Sequence, residues 1–474
     1  MSTKFDRPVE LLIIGGGIAG LSAAFEAKKR GVSFVLVEAK PQFGGIIRTE
    51  SENGFTIDAG PDAILTQKPA GIQLCQELGL SDRLMSTKPP RTAFVMRNGS
   101  LHPLPEASVL GIPTRLVPFA ASSLLSPTGK TRMSLDLVIP GNRSSVDESI
   151  ASFFGRRFGR EAVSYLAEPL LAGIHAGNVD RLSVDALFPN LRNAERHHGS
   201  VIRAYRKARR NIKTDGPFRS LPGGIGELID ALIKALPNGK LKCNTPVISI
   251  EHGPSFVVRV RSGRDIEARQ IILATPAHVA SKLIAPINQE LARLCGEIPY
   301  ESTVTVFLSY PRKSVAHPLL GSGFVVPRIE HNSSLMAATW VSSKWEHRVP
   351  NNQVLIRGFM GGSRAPDMID REDGELIRTC HEELSKILGI NTTPNLVKLY
   401  RWRRATAQYE VGHLKRLNKI ERCLRRLPGL HLTGSGYRGV GIPDCVADGR
   451  NVATKAISSL TNLSEITVKP DRET

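Results

Sequence analysis

The stretch Val9–Arg48, VELLIIGGGIAGLSAAFEAKKRGVSFVLVEAKPQFGGIIR, decides the fold of this chain. Its apolar run Leu11–Ile14 predicts a buried strand. The glycines within Gly15–Gly20 predict a tight turn, and the alanine-rich sequence as far as Arg30 predicts a helix. A strand, a glycine turn and a helix in this order favour an α/β fold of the Rossmann kind.

An acidic residue at the end of the next apolar run, Phe34–Val37, supports the same fold. Glu38 lies 18 residues beyond Gly20, where its carboxylate would accept hydrogen bonds from the two hydroxyls of an adenosine ribose. The phosphates would lie at the helix N-terminus, because free N–H groups and the helix dipole attract anions there. An ordinary glycine-rich turn is the alternative, but the flanking strand, helix and acid favour a nucleotide.

The sequence after Glu38 indicates which dinucleotide is bound. Pro41–Thr49, PQFGGIIRT, contains Gly44 and Gly45 followed by Arg48. The glycine pair would let the backbone lie close to a second part of an extended cofactor. This pattern resembles the flavin-dependent amine oxidase superfamily, in which a glycine pair with a following arginine is typical of FAD. A glycine loop with a solvated arginine is the alternative.

The composition indicates a large globular protein with an anionic partner. The 474 residues suffice for two or three domains, and 41% hydrophobic with 23% charged residues is typical of a folded enzyme. The 63 basic and 44 acidic residues leave a net charge of +19. Such a charge favours nucleic acid, an anionic membrane surface or an acidic substrate as partner. We expect no nucleic acid, because no zinc finger or RNA-binding aromatic motif accompanies the charge.

Cysteine usage and hydropathy suggest a cytoplasmic protein at the membrane surface. The six cysteines include no CxxC pair, which is typical of reduced thiols and predicts no metal site. The sequence shows no signal peptide and no run of about 18 apolar residues. Two segments favour peripheral attachment to the inner face of the cell membrane: 104–125, an apolar stretch broken by prolines, and 192–210, a basic helix with an apolar strip formed by Val201, Ile202 and Tyr205. A solvated basic face is the alternative for 192–210.

The C-terminal sequence carries a more specific resemblance. Leu432–Ala453, LTGSGYRGVGIPDCVADGRNVA, and Gln408–Lys419, QYEVGHLKRLNK, resemble the oxygen-dependent protoporphyrinogen oxidase family. Further motifs agree, so that the resemblance covers nearly the whole chain: RTAFV with GSLHPLP, EPLLAGIHAGNVDRLSV, GGIGELIDAL and ATPAHVA.

The resemblance implies an α/β fold with a discontinuous Rossmann-like FAD-binding domain, an inserted α+β substrate domain and a helical, membrane-facing subdomain. The FAD-binding domain is expected in three parts, 1–88, 213–290 and 416–474. A substrate and membrane-facing part is expected at 89–143, a basic helical subdomain at 144–212 and the main substrate domain at 291–415.

The family implies that FAD is bound without a covalent link. The residues carried over as cofactor contacts are Gly15, Gly16, Gly17, Ile18, Ala19, Gly20, Glu38, Ala39, Gly44, Gly45, Ile46, Arg48, Gly60, Pro61, Asp62, Ala63, Val247, Thr275, Trp402, Ser435, Val440, Gly441 and Ile442. In the family the C-terminal helix points its first amides at the flavin, where they would stabilise the charge of the reduced ring.

The substrate site is carried over in the same way. Arg91 would pair with a propionate, Ala172 and Gly173 would line the macrocycle cleft, and Val326 would form the opposite wall. The alignment puts Trp345 where the family commonly has a phenylalanine against a pyrrole. No catalytic side chain is expected, because the flavin carries the chemistry. His175 is the one candidate base, and a turn histidine without a catalytic task is the favoured alternative.

The implied function is oxidation of protoporphyrinogen IX to protoporphyrin IX in haem synthesis, with O2 as acceptor and H2O2 released over three flavin cycles. Oxidation of coproporphyrinogen III is the first alternative, since its four propionates would use extra cations. An amine oxidase or a carotenoid desaturase on the same scaffold is a more distant one. Further expected partners are a second copy of the chain and the next enzyme of the haem pathway.

Overall fold

The computed structural model describes residues 8–105, 108–208, 216–263, 265–331 and 333–467. Its strands are β1 (Val9–Ile14), β2 (Phe34–Val37), β3 (Thr49–Glu52), β4 (Phe55–Asp58), β5 (Ile64–Leu65), β6 (Met85–Ser86), β7 (Ala93–Arg97), β8 (Ser100–Pro103), β9 (Ser108–Val109), β10 (Ile112–Pro113), β11 (Phe218–Ser220), β12 (Leu241–Lys242), β13 (Val247–His252), β14 (Phe256–Val260), β15 (Asp265–Leu273), β16 (Tyr300–Pro311), β17 (Gly323–Val325), β18 (Leu335–Trp340), β19 (Gln353–Gly361), β20 (Leu396–Ala407) and β21 (Leu430–Leu432).

The α-helices are α1 (Ile18–Lys29), α2 (Pro69–Glu77), α3 (Leu116–Ala121), α4 (Pro127–Ser134), α5 (Ile150–Phe158), α6 (Arg160–Ala162), α7 (Gly173–His175), α8 (Val184–Leu187), α9 (Pro189–His198), α10 (Val201–Ala208), α11 (Gly226–Ala235), α12 (Ala277–Ile284), α13 (Gln289–Gly296), α14 (Val341–Lys344), α15 (Asp373–Leu388), α16 (His413–Arg425) and α17 (Ile442–Thr467). A π-helix, Val163–Ala172, joins α6 to α7, and short 3₁₀ turns include Leu135–Leu137 and Gly362–Arg364.

The first sheet is the Rossmann-like sheet that the N-terminal stretch predicts. Its strands lie in the order β12-β2-β1-β15-β14-β13, and β21 also pairs with β15. β12, β2, β1, β15 and β21 run parallel, whereas β14 and β13 form an antiparallel extension. Leu11 and Leu12 on β1 point into two different cores, so both faces of the sheet are covered. Helix α1 lies on one face, and α12 and α13 lie on the other.

The second sheet is formed mainly by residues of the region 291–415, for which a substrate domain is expected. Its order is β20-β16-β19-β18-β17-β7-β8, and all pairings are antiparallel except that of β7 with β17. The sequence RTAFVMRNGSLHPLP predicts a hairpin with its turn at Asn98-Gly99, and this turn closes β7–β8. The hairpin therefore extends the sheet formed mainly by 300–407, although it lies 200 residues earlier in the chain.

A buried pair of charges joins the loop before β19 to the β3–β4 hairpin. Arg348, which is 1% exposed in its side chain, donates from Nη1 to Asp58 Oδ2 over 2.7 Å. The other carboxylate oxygen of Asp58 accepts from the Thr49 hydroxyl and from the Ile225 amide. Arg348 also donates to the Ser220 hydroxyl. Such a buried pair has to keep both partners, because either charge alone would be desolvated without compensation.

A third core holds the helical part, and it corrects the prediction of an exposed apolar strip. Val201 and Ile202 are buried in this core, and Tyr205 packs against it. The strip on α10 therefore faces protein instead of lipid. In the segment 104–125, Ile112, Phe119, Leu124 and Leu125 belong to the same core, while Val117 is exposed.

Ion pairs also change the picture of the basic segment 192–210. Arg192 is buried and pairs with Glu148, Asp185 and Glu195. It is thus unavailable to a membrane. Arg209 and Arg210, and Glu106 with Ala107 in the apolar segment, lie outside the described residues. Within the described ranges, every helix is too short or too polar to cross a bilayer.

One expected cap is wrong. The sequence predicts that Ser145 caps the helix that begins near Ile150, with Glu148 completing a capping box. In the structure Ser149 is the N-cap of α5, and its hydroxyl accepts from the Ser152 amide over 3.1 Å. Glu148 instead pairs with Arg156 and Arg192. The tertiary ion pairs are stronger partners for the carboxylate than a local amide.

Candidate active site

The first glycine turn brings α1 against the end of β1. Gly15 has φ +111°, a conformation that L side chains rarely adopt, and a Cβ at Gly20 would overlap the Gly15 carbonyl oxygen. Gly17 is different, because a Cβ added there would meet no protein atom within 4 Å. The turn therefore leaves open space at Gly17, immediately before the uncapped N-terminus of α1.

Glu38 lies beside this space, as the sequence predicts. Its Oε2 accepts from the Gly16 amide over 2.7 Å, and its Oε1 accepts from the Lys40 amide over 2.9 Å. These bonds hold the carboxylate at the end of β2. The Thr245 amide donates to the Glu38 carbonyl, which brings the beginning of β13 and hence Val247 to the same end of the sheet. This is where the adenosine half of a dinucleotide would lie.

The second glycine pair docks on the first turn. The Gly44 amide donates to the Gly16 carbonyl over 2.8 Å, and Gly44 has φ +112°. The loop then contacts the turn at Gly60, where a Cβ would overlap the Ile46 carbonyl oxygen. Arg48 pairs with Glu50 over 2.6 Å and remains half exposed. The predicted FAD loops, including Ala39 after Glu38 and the turn Gly60–Ala63, are thus neighbours in space.

The C-terminal segment closes the other side. Gly449 of α17 packs directly on the backbone of Ala19, because a Cβ there would overlap the Ala19 carbonyl oxygen. Directly after β21, the Thr433 amide donates to the Leu273 carbonyl at the end of β15. Tyr409 then bridges the segment: its hydroxyl donates to the Ser435 carbonyl and accepts from the Gly439 amide, both over 2.8 Å. The predicted contacts Ser435, Val440, Gly441 and Ile442 therefore follow directly after the strand that ends beside Thr275.

Two unpaired polar atoms are compatible with a cofactor beside these loops. Thr275 Oγ1, next to Gly15, and Trp402 Nε1, on the second sheet, are buried and have no hydrogen-bond partner among the described residues. Buried polar atoms are normally paired, so a ligand is a physical reason for the exceptions. Together with the open space at Gly17 and the uncapped α1, they fit a dinucleotide that has phosphates at a helix N-terminus and polar ring edges.

Charged side chains of the second sheet support the turn Gly60–Ala63. Arg357, buried, donates to the carbonyl oxygens of Ala59 and Gly60 over 2.8 and 2.7 Å. Although burial opposes ionisation of Asp62, the positive charges of Lys344 and Arg357 lower its pKa to about 2. On the neighbouring strands, Trp402 pairs with Thr303 and Arg357 pairs with Phe307. Thr303, Thr305 and Phe307 are every second residue of β16 and point to one face of the sheet, so Trp402 and Thr305 lie on the same face as Arg357.

Trp345 lies beneath this turn and not on the predicted substrate wall. It is 1% exposed, packs in a small core with Phe55 and Phe307, and donates from its indole N–H to Asp62 over 3.1 Å. A side chain that is enclosed on all sides has no face for a pyrrole. Its role in the structure is to hold Asp62.

Gly173 and Val326 do come together, on a cleft between α7 and the end of β17. Ala172 is the last residue of the π-helix that leads into this cleft. Arg91 lies elsewhere: it is exposed and donates from Nε to the carbonyl and hydroxyl of Thr87, both over 3.0 Å. The structure thus separates the predicted propionate partner from the predicted macrocycle wall.

His175 is buried at the end of α7, and burial, assisted by the charge of Lys68, lowers its pKa to about 4. Its ring packs on Phe188, and its carbonyl accepts from Gln408 over 2.8 Å. These contacts support a neutral turn histidine, the favoured alternative from the sequence.

Comparison with known proteins identifies the family. The family described as flavin containing amine oxidoreductase matches residues 18–457. The chain belongs to this family.

Relatives cover almost its whole length. It is 34% identical to a coproporphyrinogen III oxidase of Bacillus subtilis (strain 168), over 96% of this chain and 99% of that protein. It is 29% identical to a mitochondrial protoporphyrinogen oxidase of Nicotiana tabacum, over 97% of each. A solved structure from Exiguobacterium sp. 255-15 superposes with a TM-score of 0.85 at 30% identity, covering 98% of this chain and all of that one.

Family membership confirms the resemblance found in the sequence, the FAD cofactor and an FAD-dependent oxidase as the class of enzyme. The individual contacts stay predictions. Sequence reasoning missed Arg357, Tyr409 and the cleft residues Glu168 and Arg328. Arg357 left a signal, since it is the one charge in the apolar strand VLIRGFM. Tyr409 left none, because its two partners lie about thirty residues away in the chain.

Proposed function

We propose that this chain oxidises a porphyrinogen in haem synthesis with O2 as electron acceptor, and that it prefers coproporphyrinogen III to protoporphyrinogen IX. The observation that carries the proposal is the near full-length similarity to the oxidases from Bacillus subtilis and Nicotiana tabacum, which are named for these two substrates. The higher identity to the former favours coproporphyrinogen III, the alternative in the sequence-based prediction.

Different residues of the candidate site would bind different parts of FAD. The glycine turns and the N-terminus of α1 would hold the phosphates of FAD, and Glu38 would hold the ribose. Arg357 and Asp62 would fix the turn under the ring, and Thr275 and Trp402 would pair with its polar edges. When bound, FAD supplies a two-electron acceptor that O2 re-oxidises. The protein side chains bind and orient the substrate and exclude water.

The stoichiometry of the reaction offers a direct test. Conversion of a porphyrinogen to a porphyrin removes six electrons and six protons, so three O2 become three H2O2. Purified protein with either porphyrinogen should produce porphyrin fluorescence and peroxide in this ratio, with the higher kcat/KM on coproporphyrinogen III. Turnover of neither porphyrinogen would refute the function, and a clear preference for protoporphyrinogen IX would refute the choice of substrate. An amine substrate serves as the control for the related oxidases.

Acid denaturation tests the mode of FAD binding. We expect all flavin to appear in the supernatant when the precipitated protein is removed. Flavin that remains with the polypeptide would show a covalent link.

We also propose peripheral membrane attachment, through a surface that includes Leu135 and Val138. Leu135 and Val138 are 43% and 75% exposed, and Arg203 donates to the Leu137 carbonyl between them. Exposed apolar side chains beside a cation suit an anionic lipid surface, with about 1 kcal/mol for each cation near it. Flotation with anionic vesicles at low and high salt should show salt-sensitive binding. Equal binding to neutral vesicles would remove the electrostatic contribution.

Homodimer formation and transfer of the product to the next enzyme of the pathway are also proposed partnerships. Light scattering of the purified protein tests the first. Co-sedimentation with the next enzyme tests the second.

A further inference from the structure

The cleft that contains Gly173 and Val326 has a polar side. One part of its lining is apolar and small: Pro169, Gly173, Ala176, Gly177, Val326 and Met336. The rest consists of Glu168, Arg328, Ser363 and Arg364. Close backbone packing fixes the two sides, because the Ser363 amide donates to the Ala176 carbonyl over 2.9 Å. The cleft thus combines apolar and charged lining residues.

Arg328 is the accessible cation of this cleft. Its backbone N–H donates to Glu168 Oε2 over 2.8 Å, and its Nη2 donates to the Ser363 hydroxyl over 2.9 Å. The Nε lies 3.8 Å from Glu168 Oε1. These two side-chain contacts use two of the five N–H donors of a guanidinium. With 36% of its side chain exposed, Arg328 can present the remaining donors to a carboxylate in the cleft.

Arg364 has a different role, because it holds the backbone around Arg328. It donates to the carbonyl oxygens of Val326, Glu330 and Leu335 over 3.1, 2.9 and 3.3 Å. These hydrogen bonds from Arg364 hold the backbone of the loop that carries Arg328. A fixed loop reduces the entropy lost when a ligand is bound.

The arginines of the cleft favour an anion. The lining includes two guanidinium groups and one carboxylate, while Glu301, Glu330 and Glu383 lie near these arginines outside the lining. Burial raises the pKa of Glu168 in spite of the nearby Arg328 and Arg364. Arg can bind a carboxylate through two parallel N–H bonds, which makes it suited to a propionate.

The position of Arg328 relative to Arg91 selects the kind of substrate. β7 and β17 are parallel and pair Ala93 with Gly323. Arg91 precedes this pair by two residues and Val326 follows it by three, so they are separated by about 16 Å along the strands at roughly 3.3 Å per residue. Arg91 precedes β7 and Arg328 follows β17, so the two cations lie beyond opposite ends of this strand pair, which fits a substrate with carboxylates on more than one edge. Coproporphyrinogen III has a propionate on each pyrrole, whereas protoporphyrinogen IX has propionates on two adjacent pyrroles and vinyl groups on the others.

We propose that Arg328, positioned by Ser363 and by the loop that Arg364 anchors, binds a second propionate of the porphyrinogen and thereby makes the chain prefer the four-propionate substrate. This inference rests on the proposed function. Arg328 is a specificity residue, and Arg91 at the other end of the strands serves both porphyrinogens.

Substitution of Arg328 tests the inference. Arg328→Gln should lower kcat/KM for coproporphyrinogen III about 10- to 100-fold, mainly through KM, and change that for protoporphyrinogen IX by less than about threefold. Arg328→Lys should recover part of the loss, because it keeps the charge without the planar fork. Arg259→Gln is the matched control, since Arg259 pairs with Glu251 on the exposed β13–β14 hairpin.

Binding of the oxidised porphyrins, followed by fluorescence quenching, provides a measurement that does not need turnover. Arg328→Gln should weaken coproporphyrin III and leave protoporphyrin IX unchanged. Equal effects on both porphyrins, or none, would overturn the inference, and so would loss of flavin in both Arg328 variants, since that would assign the residue to the fold. If the unmodified protein turns over neither porphyrinogen, the proposed function fails, while the binding measurement still decides the role of Arg328.

Discussion

The two sheets meet at the turn Gly60–Ala63 but build their parts of the site by different means. On the first sheet the important groups are backbone atoms: glycines at Gly15, Gly20 and Gly44, and the amides at the start of α1. On the second sheet and its loops they are buried or half-buried arginines, among them Arg357 on β19 and Arg328 in the turn after β17. The cofactor region thus depends on glycines, which leave space that a side chain would fill. The cleft depends on the charged side chains that line it.

This difference follows from the ligands. A pyrophosphate and a flat ring system need the backbone to come close, which only glycine allows. A macrocycle with several carboxylates needs cations at fixed separations, and Arg supplies them. We therefore expect the first region to respond to small changes of volume and the second to changes of charge.

Two glycines of the first turn should separate folding from cofactor binding. Gly20→Ala should prevent the native packing of α1, with a loss of more than about 5 kcal/mol, because its Cβ would overlap the Gly15 carbonyl. Gly17→Ala should leave the stability of the apoprotein nearly unchanged and weaken FAD at least about tenfold, since its Cβ would point into the open space. Chemical denaturation and flavin titration measure the two effects.

Gly374→Ala on α15 is the control, because its Cβ would also meet no protein atom within 4 Å and lies far from the turn in sequence. Tight flavin binding by Gly17→Ala would break the view that the cofactor region is defined by excluded volume.

The charged link between the regions should be the next most sensitive. Arg348→Met would leave Asp58 buried without its cation, and we expect a loss of about 3–5 kcal/mol in the free energy of unfolding. Urea denaturation measures it. Arg259→Met removes an exposed pair with Glu251 and should cost less than about 1 kcal/mol. Similar losses in the two variants would mean that the buried pair contributes no more to stability than an exposed one.

Arg91 tests the charge of the substrate region. Arg91→Ala should lower kcat/KM by the equivalent of roughly 2–3 kcal/mol, the usual contribution of a hydrogen bond to a charged group, because Arg91 is exposed where it contacts Thr87. Flavin content should be unchanged, and Arg91→Lys should restore part of the activity. Near-normal kcat/KM in the alanine variant would remove Arg91 from the site, and loss of flavin would assign it a structural role beside Thr87.

The smallest expected effect concerns a neutral group behind the C-terminal segment. Burial lowers the pKa of His413 to about 4 from an ordinary 6.5, although its bond to the Tyr437 carbonyl opposes this. Below pH 6.5 His413 is protonated in the unfolded chain, whereas in the folded chain it stays neutral until about pH 4. The free energy of unfolding therefore falls as the pH decreases through this window. Between pH 7 and pH 5 the residue should account for about 2 kcal/mol. In urea titrations, the free energy of unfolding of His413→Gln should fall by about 2 kcal/mol less between pH 7 and pH 5 than that of the unmodified protein. An equal fall in both proteins would exclude His413 as the cause.

Local patterns predicted the elements well where the chain itself decides the structure. β1 and β2 begin and end within two residues of the predicted positions, α1 begins three residues earlier than predicted, and Asn98-Gly99 forms the predicted hairpin turn. Period and turn chemistry act over a few residues and need no distant partner. The predicted FAD loops also lie together, because their spacing specifies a known strand-turn-helix arrangement.

Side chains whose partners are distant in sequence were predicted poorly. The apolar face of α10 was correctly seen, but its period does not say whether protein or lipid covers it. Arg192 looked like a surface cation and is buried by Glu148, 44 residues away. Trp345 was placed by alignment on the substrate wall, yet its indole holds Asp62, 283 residues away.

The sequence by itself determined the Rossmann-like start, the family and the FAD cofactor, because glycine spacing and a terminal acid are local requirements of one ligand. Only the tertiary structure decided which charges are buried, that Arg91 and Val326 lie at opposite ends of one strand pair, and that Arg328 enters the cleft beside Glu168 and Ser363. Burial and charge pairing depend on residues brought together from all parts of the chain, and no local pattern records those encounters.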